Sequence, residues 1–142
     1  YAMDMEVLEP ITEFRIRAVE NGQTHPALEK AIAGLRKTGT MVPGAEGERG
    51  EWADGVNIKD ATKEKVDVFY HVGCLTSYDK NMQKLARATV NILQKAGINF
   101  GIAGNAETCC GGRAYQMGYE KDFLKQAKKN MAMVKKAETA KK

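Results

Sequence analysis

The stretch VDVFYHVGC at residues 66–74 combines β-branched and aromatic side chains and ends in a glycine and a cysteine. Charged residues precede it, so we predict a buried β-strand over residues 66–72 and a turn at Gly73 and Cys74. A second apolar stretch, INFGIA at residues 98–103, predicts another short strand, and TCCGG follows it at residues 108–112. These two places hold all three cysteines of the chain. Both cysteine sites therefore follow predicted strands, where α/β folds place their ligand-binding residues.

A helix is predicted between the two strands. It runs from about Asp79 to Lys95 and ends at Gly97, and its apolar residues recur at helical spacing. The expected buried stripe is Met82, Leu85, Ala86, Val90 and Leu93. Because a helical crossover joins parallel strands in a right-handed unit, we predict an α/β fold with a small parallel sheet and a βαβ crossover.

The segments on either side of this unit have a different character. Residues 1–39 predict two short helices, one with Pro10 in its first turn and one that starts near His25-Pro26 and stops near Gly39. Residues 40–65 are rich in Gly, Glu, Asp and Lys, with Trp52 as the one large apolar anchor, and this composition predicts a linker.

Two helices are predicted after the paired cysteines. A short one lies around residues 114–117, and a long one starts at about Tyr119. The residues of the long helix that we expect to face the core are Phe123 or Leu124, Ala127, Met131 and Val134. Two strands make a thin sheet, so we expect the sequence to be a fragment of a larger fold.

Composition excludes several classes of protein. The net charge of +4 comes with lysines that crowd the last helix without interleaved aromatic residues, so we predict a solvated helix face and no nucleic-acid binding. No apolar run approaches the ~20 residues of a membrane span, so no direct insertion is expected. Three cysteines, two of them adjacent, argue against a disulfide framework. A reducing, cytoplasmic location is therefore expected.

The candidate site residues are Cys74, Cys109 and Cys110. Three sulfurs at the carboxyl ends of neighbouring strands would form a soft pocket that suits iron, zinc or copper(I), and the flanking glycines would let backbone amides approach the sulfurs. The alternative is that the cysteines only pack in the core, as free cysteines often do. His71 is expected to be a strand histidine with a backbone partner, while Arg113 either stabilises thiolate charge or is solvated.

The spacing of these residues resembles a known family. Gly73-Cys74, then 34 residues, then Cys109-Cys110-Gly111-Gly112 resembles the first half of the cysteine-rich CCG domain of heterodisulfide reductases and related iron–sulfur oxidoreductase subunits. The resemblance covers residues 66–142. It implies that Cys74, Cys109 and Cys110 are ligands of an iron–sulfur cluster, a [4Fe–4S] species, with the remaining ligands in a CxxC that this sequence lacks. We therefore expect the fragment to hold the cluster incompletely or not at all, to be inactive, and to contain no catalytic residue.

The same resemblance implies a domain organisation and a function. Residues 1–39 would be the helical tail of a preceding ferredoxin-like module, 40–65 a linker, and 66–142 the N-terminal part of the CCG domain. The expected function is electron transfer in a heterodisulfide-reductase-like oxidoreductase, with other redox subunits as partners, including a membrane-bound complex at the inner face of the membrane. Two alternatives stay open: a zinc-binding or thiol redox-sensing module, and a docking domain without redox chemistry.

Overall fold

The computed structural model describes residues 7–42 and 49–139, which form a small α/β domain. Short 3-10 turns at Glu51–Ala53 and Gly104–Ala106 accompany the regular elements. In chain order the helices and strands are α1 (Leu8–Glu20), α2 (Pro26–Thr38), β1 (Lys59–Asp60), β2 (Val68–Phe69), α3 (Cys74–Tyr78), α4 (Lys80–Lys95), β3 (Phe100–Ile102), α5 (Gly112–Gln116) and α6 (Glu120–Thr139).

The sheet has three parallel strands in the order β1-β3-β2. Helix α4 connects β2 to β3, so the predicted βαβ unit is confirmed. The first predicted strand is shorter than expected, because its ladder is limited to Val68 and Phe69. Beyond them the amides of Val72 and Gly73 face the carboxylate of Glu107 instead of another strand. The chain thus leaves the sheet early and turns toward Cys74.

Strand β1 lies in the stretch predicted to be a linker. Lys59 pairs with Gly101 and Asp60 with Ile102 of the central strand. Trp52 is 2% exposed and packs in a core formed with Val72, Ala86, Val90, Phe100 and Ile102. A two-residue strand is too short to produce an alternating pattern, which is why the sequence predicted two strands and not three. The proposed division into domains stays a prediction.

Helix α4 starts where the sequence predicted. The Asp79 side chain caps it by accepting hydrogen bonds from the amides of Asn81 and Met82, at 2.9 and 3.0 Å. Ala86 and Val90 are fully buried, as expected, but Leu85 is 57% exposed. The predicted apolar stripe was therefore too wide, because Leu85 faces solvent beside the buried residues Ala86 and Val90.

The buried face of α6 differs from the predicted one. Leu124 is 47% exposed and Met131 57% exposed, whereas the residues that are buried include Asp122, Gln126, Met133 and Ala137. The two polar residues of this face have partners on α2. Asp122 binds the guanidinium of Arg36 through two hydrogen bonds of 2.9 and 2.8 Å, and the Gln126 amide donates to the Leu35 carbonyl. A hydrophobic pattern cannot identify a face that is buried through polar pairs.

The two predicted N-terminal helices are confirmed, and they pack beside the paired cysteines. Ile32 and Leu35 of α2 are fully buried in one cluster with Cys109, Ala114 and Tyr119. At the end of α2, Gly39 adopts φ +74° and its carbonyl accepts a hydrogen bond from the Cys109 amide at 2.9 Å. The first two helices therefore help to fix the position of the cysteine loop.

Several large apolar side chains are exposed on the helices. Leu8 and Phe14 of α1 are 81% and 74% exposed, and Ile92 of α4 is 67% exposed. Even so, within residues 7–42 and 49–139 no helix has both the length and the apolar content that a membrane crossing requires.

Two glycine variants test the packing of α1 against the turn between α5 and α6. Gly118 and Gly22 both have positive φ, +91° and +75°, so alanine is strained at either position. A Cβ at Gly118 would also collide with the Arg15 carbonyl, whereas one at Gly22 would meet no atom within 4 Å. We expect Gly118→Ala to lower the free energy of unfolding by about 1–3 kcal/mol more than Gly22→Ala, measured by urea denaturation. Equal losses would contradict this packing.

Candidate functional site

The cysteines lie on two loops at the carboxyl ends of β2 and β3. Cys74 is the first residue of α3, and Cys109 and Cys110 immediately precede the loop glycines that start α5. The predicted strand, loop and helix context of all three is therefore confirmed. Their exposure differs: Cys109 is buried, Cys74 is half-buried and Cys110 is exposed.

The sulfur atoms of Cys74 and Cys109 form a hydrogen-bonded pair across the two loops. The Cys109 thiol and the neighbouring Arg49 guanidinium lower the pKa of Cys74 to about 5, against the opposing effect of burial. The pKa of Cys109 is raised, because its proton is held in the bond to Cys74 and because the group is buried. The opposite directions of the two pKa shifts favour one shared proton at neutral pH, with the negative charge on Cys74 beside Arg49.

Arg49 is the basic residue of the site, and it was not among the residues that the sequence predicted there. Its Nη2 donates to the Cys74 sulfur at 3.0 Å, and its guanidinium carbon lies 5.6 Å from the centroid of the Tyr78 ring. The residue is only 6% exposed. A hydrogen bond from Thr40, at the end of α2, also stabilises the Cys74 thiolate. Both residues flank a glycine- and glutamate-rich stretch, in which no sequence pattern indicates proximity to a cysteine.

Backbone amides approach the other two sulfurs, as the flanking glycines predicted. The Gly111 amide donates to the Cys109 sulfur at 3.4 Å, and the Gly112 amide donates to the Cys110 sulfur at 3.5 Å. Gly111 adopts φ +78°, and a Cβ there would press against Phe123. Glycine is therefore required at this position for the loop to turn while its amide faces the sulfur.

Glu107 ties the two cysteine loops together. Its carboxylate is 6% exposed and faces the amides of Val72 and Gly73, each at 3.4 Å. Burial raises the pKa of this carboxyl, while the nearby His71 ring and the two amides oppose the shift. His71 Nδ1 lies 3.6 Å from the Glu107 carboxylate, so the ring has a carboxylate neighbour, and the expected backbone partner stays a prediction.

Of the two interpretations of Arg113, its exposure favours the solvated one. It is exposed and lines a cavity of about 550 Å³ between α1, α2 and α5, together with Arg15 and His25. The guanidinium that contacts a cysteine belongs to Arg49 instead.

The donor atoms fit an iron–sulfur cluster better than a single metal ion. Within the described part of the chain, no three His, Cys, Asp or Glu side chains gather closely enough to hold one ion. In a cluster, different thiolates bind different irons, so their sulfurs need not converge on one point. Soft sulfur donors, amide N–H groups aimed at them and a buried guanidinium, one of whose N–H groups has no partner among the described residues, are surroundings that suit such a group.

Comparisons with known proteins agree with this chemistry. The family model described as a cysteine-rich domain, CCG, matches residues 68–141. The chain is 34% identical over 65 residues to the EtfAB:quinone oxidoreductase of Syntrophomonas wolfei, covering 46% of this chain and 9% of that protein. It is 27% identical over 135 residues to a Bacillus subtilis protein described as "Probable iron-sulfur-binding oxidoreductase FadF", covering 89% of this chain and 19% of that protein.

A third relative is one component of the dihydromethanophenazine:CoB–CoM heterodisulfide reductase of Methanosarcina mazei. It is 39% identical over 56 residues, which are 39% of this chain and 13% of that protein. The chain therefore spans less than a fifth of the length of each of these three relatives. No solved structure matches it.

The asymmetry of the cysteine pair predicts a specific reactivity of the metal-free protein. With a pKa of about 5, Cys74 is a thiolate over most of the accessible pH range, so its alkylation by iodoacetamide should stay nearly constant from about pH 8 to pH 6 and fall as the pH passes through 5. The raised pKa of Cys109 should keep it unreactive over that range. Tandem mass spectrometry, whose fragment ions separate the adjacent Cys109 and Cys110, gives the three rates separately.

A Cys74→Ser variant is the control for peptide assignment, since it removes the rapidly reacting group. If the alkylation rate of Cys74 instead rose only above about pH 8, as for an ordinary thiol, the lowered pKa of Cys74 would be contradicted.

Proposed function

Because the chain belongs to the CCG cysteine-rich domain family, we propose that it is part of an iron–sulfur electron-transfer subunit of a heterodisulfide-reductase-like oxidoreductase. The observation that carries the proposal is the meeting of Cys74 and Cys109 from two loops, surrounded by N–H donors directed at their sulfurs. A set of donors that stabilises negative charge on sulfur is what a thiolate-bound cluster needs.

The proposed ligands are Cys74, Cys109 and Cys110, and the group they would hold is a [4Fe–4S] cluster. Once bound, it would accept and donate single electrons. The two cysteine loops supply three thiolates, so the remaining ligands would come from elsewhere in the whole protein. For ligation the Cys109 proton must leave, since thiolates and not thiols bind metal. The amides of Gly111 and Gly112 would then hydrogen-bond to ligand sulfurs and moderate their charge.

The partners in this proposal are other redox subunits. The names of two relatives, a quinone oxidoreductase and a heterodisulfide reductase component, support a place in an electron-transfer chain. Thiols that stay reduced favour the cytoplasm, and a partner that exchanges electrons with a membrane quinone pool would bring the domain to the inner face of the membrane.

A second candidate function is a thiol redox couple without metal. Its support is the thiolate and thiol that share one proton at Cys74 and Cys109, which is the arrangement that starts disulfide exchange. In this interpretation the reacting cysteines lie on different loops, and the adjacent pair Cys109 and Cys110 does not react with itself. It gives no role to Cys110 or to the Gly112 amide at its sulfur, and we therefore rank it second.

Iron and sulfide analysis with EPR, on the anaerobically purified whole protein that contains this sequence, tests the proposal. In the wild-type protein we expect iron and sulfide in cluster stoichiometry. Each of the variants Cys74→Ser, Cys109→Ser and Cys110→Ser should lose iron and sulfide or show an altered EPR signal. Met131→Ser is the matched control, because it removes a sulfur atom from an exposed position on α6. Folded protein without iron would reject the proposal, and a reversible Cys74 to Cys109 disulfide in its place would establish the second candidate.

A further inference from the structure

Arg49 carries a charge in a place with little access to water. Only 6% of the residue is exposed, so its guanidinium has lost most of its hydration. Its contacts among the described residues include the Cys74 sulfur and the face of the Tyr78 ring. Burial of a charge is costly unless it is paired and hydrogen-bonded. The Cys74 sulfur accepts a hydrogen bond from Nη2 at 3.0 Å.

The other terminal nitrogen of this guanidinium has no hydrogen-bond partner among the residues that the structure describes. Nη1 of Arg49 is buried and makes no hydrogen bond, and it is the only such side-chain atom within residues 7–42 and 49–139. An unsatisfied buried donor of a charged group is destabilising, and native proteins rarely retain one without a reason. An acceptor other than a described side chain is therefore expected at this point, close to Cys74.

The chemistry of that acceptor follows from its neighbours. It would face a buried guanidinium, so an electron-rich acceptor such as a sulfur or oxygen atom suits the position. The two terminal nitrogens of an arginine form a planar fork that binds two acceptors of one group at once, which a lysine ammonium does not do. Since Nη2 is bound to the Cys74 sulfur, an acceptor for Nη1 should belong to whatever that sulfur is attached to.

We propose that Arg49 is a positioning residue of the cluster centre, in which Nη2 binds the Cys74 ligand sulfur and Nη1 binds a second sulfur of the attached cluster. The inference rests on the proposed function. A positive charge in a buried site stabilises the more negative, reduced state of the centre, so Arg49 raises its reduction potential. Arg49 thus tunes the centre that the cysteines hold.

The test is a potentiometric titration of the whole protein, followed by EPR, with three variants. Arg49→Gln removes the charge, Arg49→Lys keeps the charge and loses the fork, and Arg113→Gln is the matched control on an exposed arginine next to the cysteine loop. At the wild-type midpoint potential, we expect the ratio of reduced to oxidised centre to fall about tenfold in Arg49→Gln, equivalent to about 59 mV for one electron. Arg49→Lys should show a smaller fall, and Arg113→Gln close to none.

Iron and sulfide content measured on the same samples separates the two proposals. If all proteins hold the cluster and Arg49→Gln titrates like the wild type, the role of Arg49 is overturned while the cluster stands. If the wild-type protein holds no iron, the proposed function fails and the role of Arg49 fails with it. If Arg49→Gln does not fold, Arg49→Lys carries the test: a lowered potential with an altered EPR line shape supports the role, and a titration and spectrum identical to the wild type overturn it.

Discussion

The half-buried thiolate of Cys74 is the feature on which the rest of the site depends, because its negative charge has to be stabilised by donors from distant parts of the chain. Those donors come from Cys109, Arg49 and Thr40. They belong to the loop after β3, the segment before the Glu51–Ala53 turn and the end of α2. Three separate segments therefore meet at one sulfur atom, and the core that α2 shares with Cys109 helps to hold two of them together.

The surrounding structure holds the two cysteine loops in register with one another. Glu107 faces the amides just before Cys74, and the Gly39 carbonyl binds the amide of Cys109. Thr108 Oγ1 donates to the side chain of Gln126, which links the loop to the polar buried face of α6. The loops are thus fixed by polar contacts with the chain around them, and the sulfurs do not depend on their own hydrogen bond for their position. A fixed loop of this kind lets thiolates bind a metal group without large rearrangement.

The sequence predicted the parts of this arrangement that come from a periodic apolar pattern or from the residue types that begin and end helices and strands. The crossover between β2 and β3, the start of α4 near Asp79 and the cysteine loops after strands all follow from local patterns. Strand β1 is too short to have a period, and the buried face of α6 was missed because Asp122 and Gln126 are buried through partners on α2. Arg49 lies 25 residues from Cys74, and a glycine-rich stretch contains no information about which distant side chain its arginine will contact.

Whether these cysteines hold iron is tested most directly by an anomalous difference map, recorded at the iron absorption edge, from anaerobically grown crystals of the whole protein. We predict iron peaks next to the sulfurs of Cys74, Cys109 and Cys110, with the Cys74 to Cys109 hydrogen bond replaced by sulfur–iron bonds. A map without iron at this site, with the two sulfurs still hydrogen-bonded to each other or with a peak at the zinc edge instead, would contradict the proposed cluster.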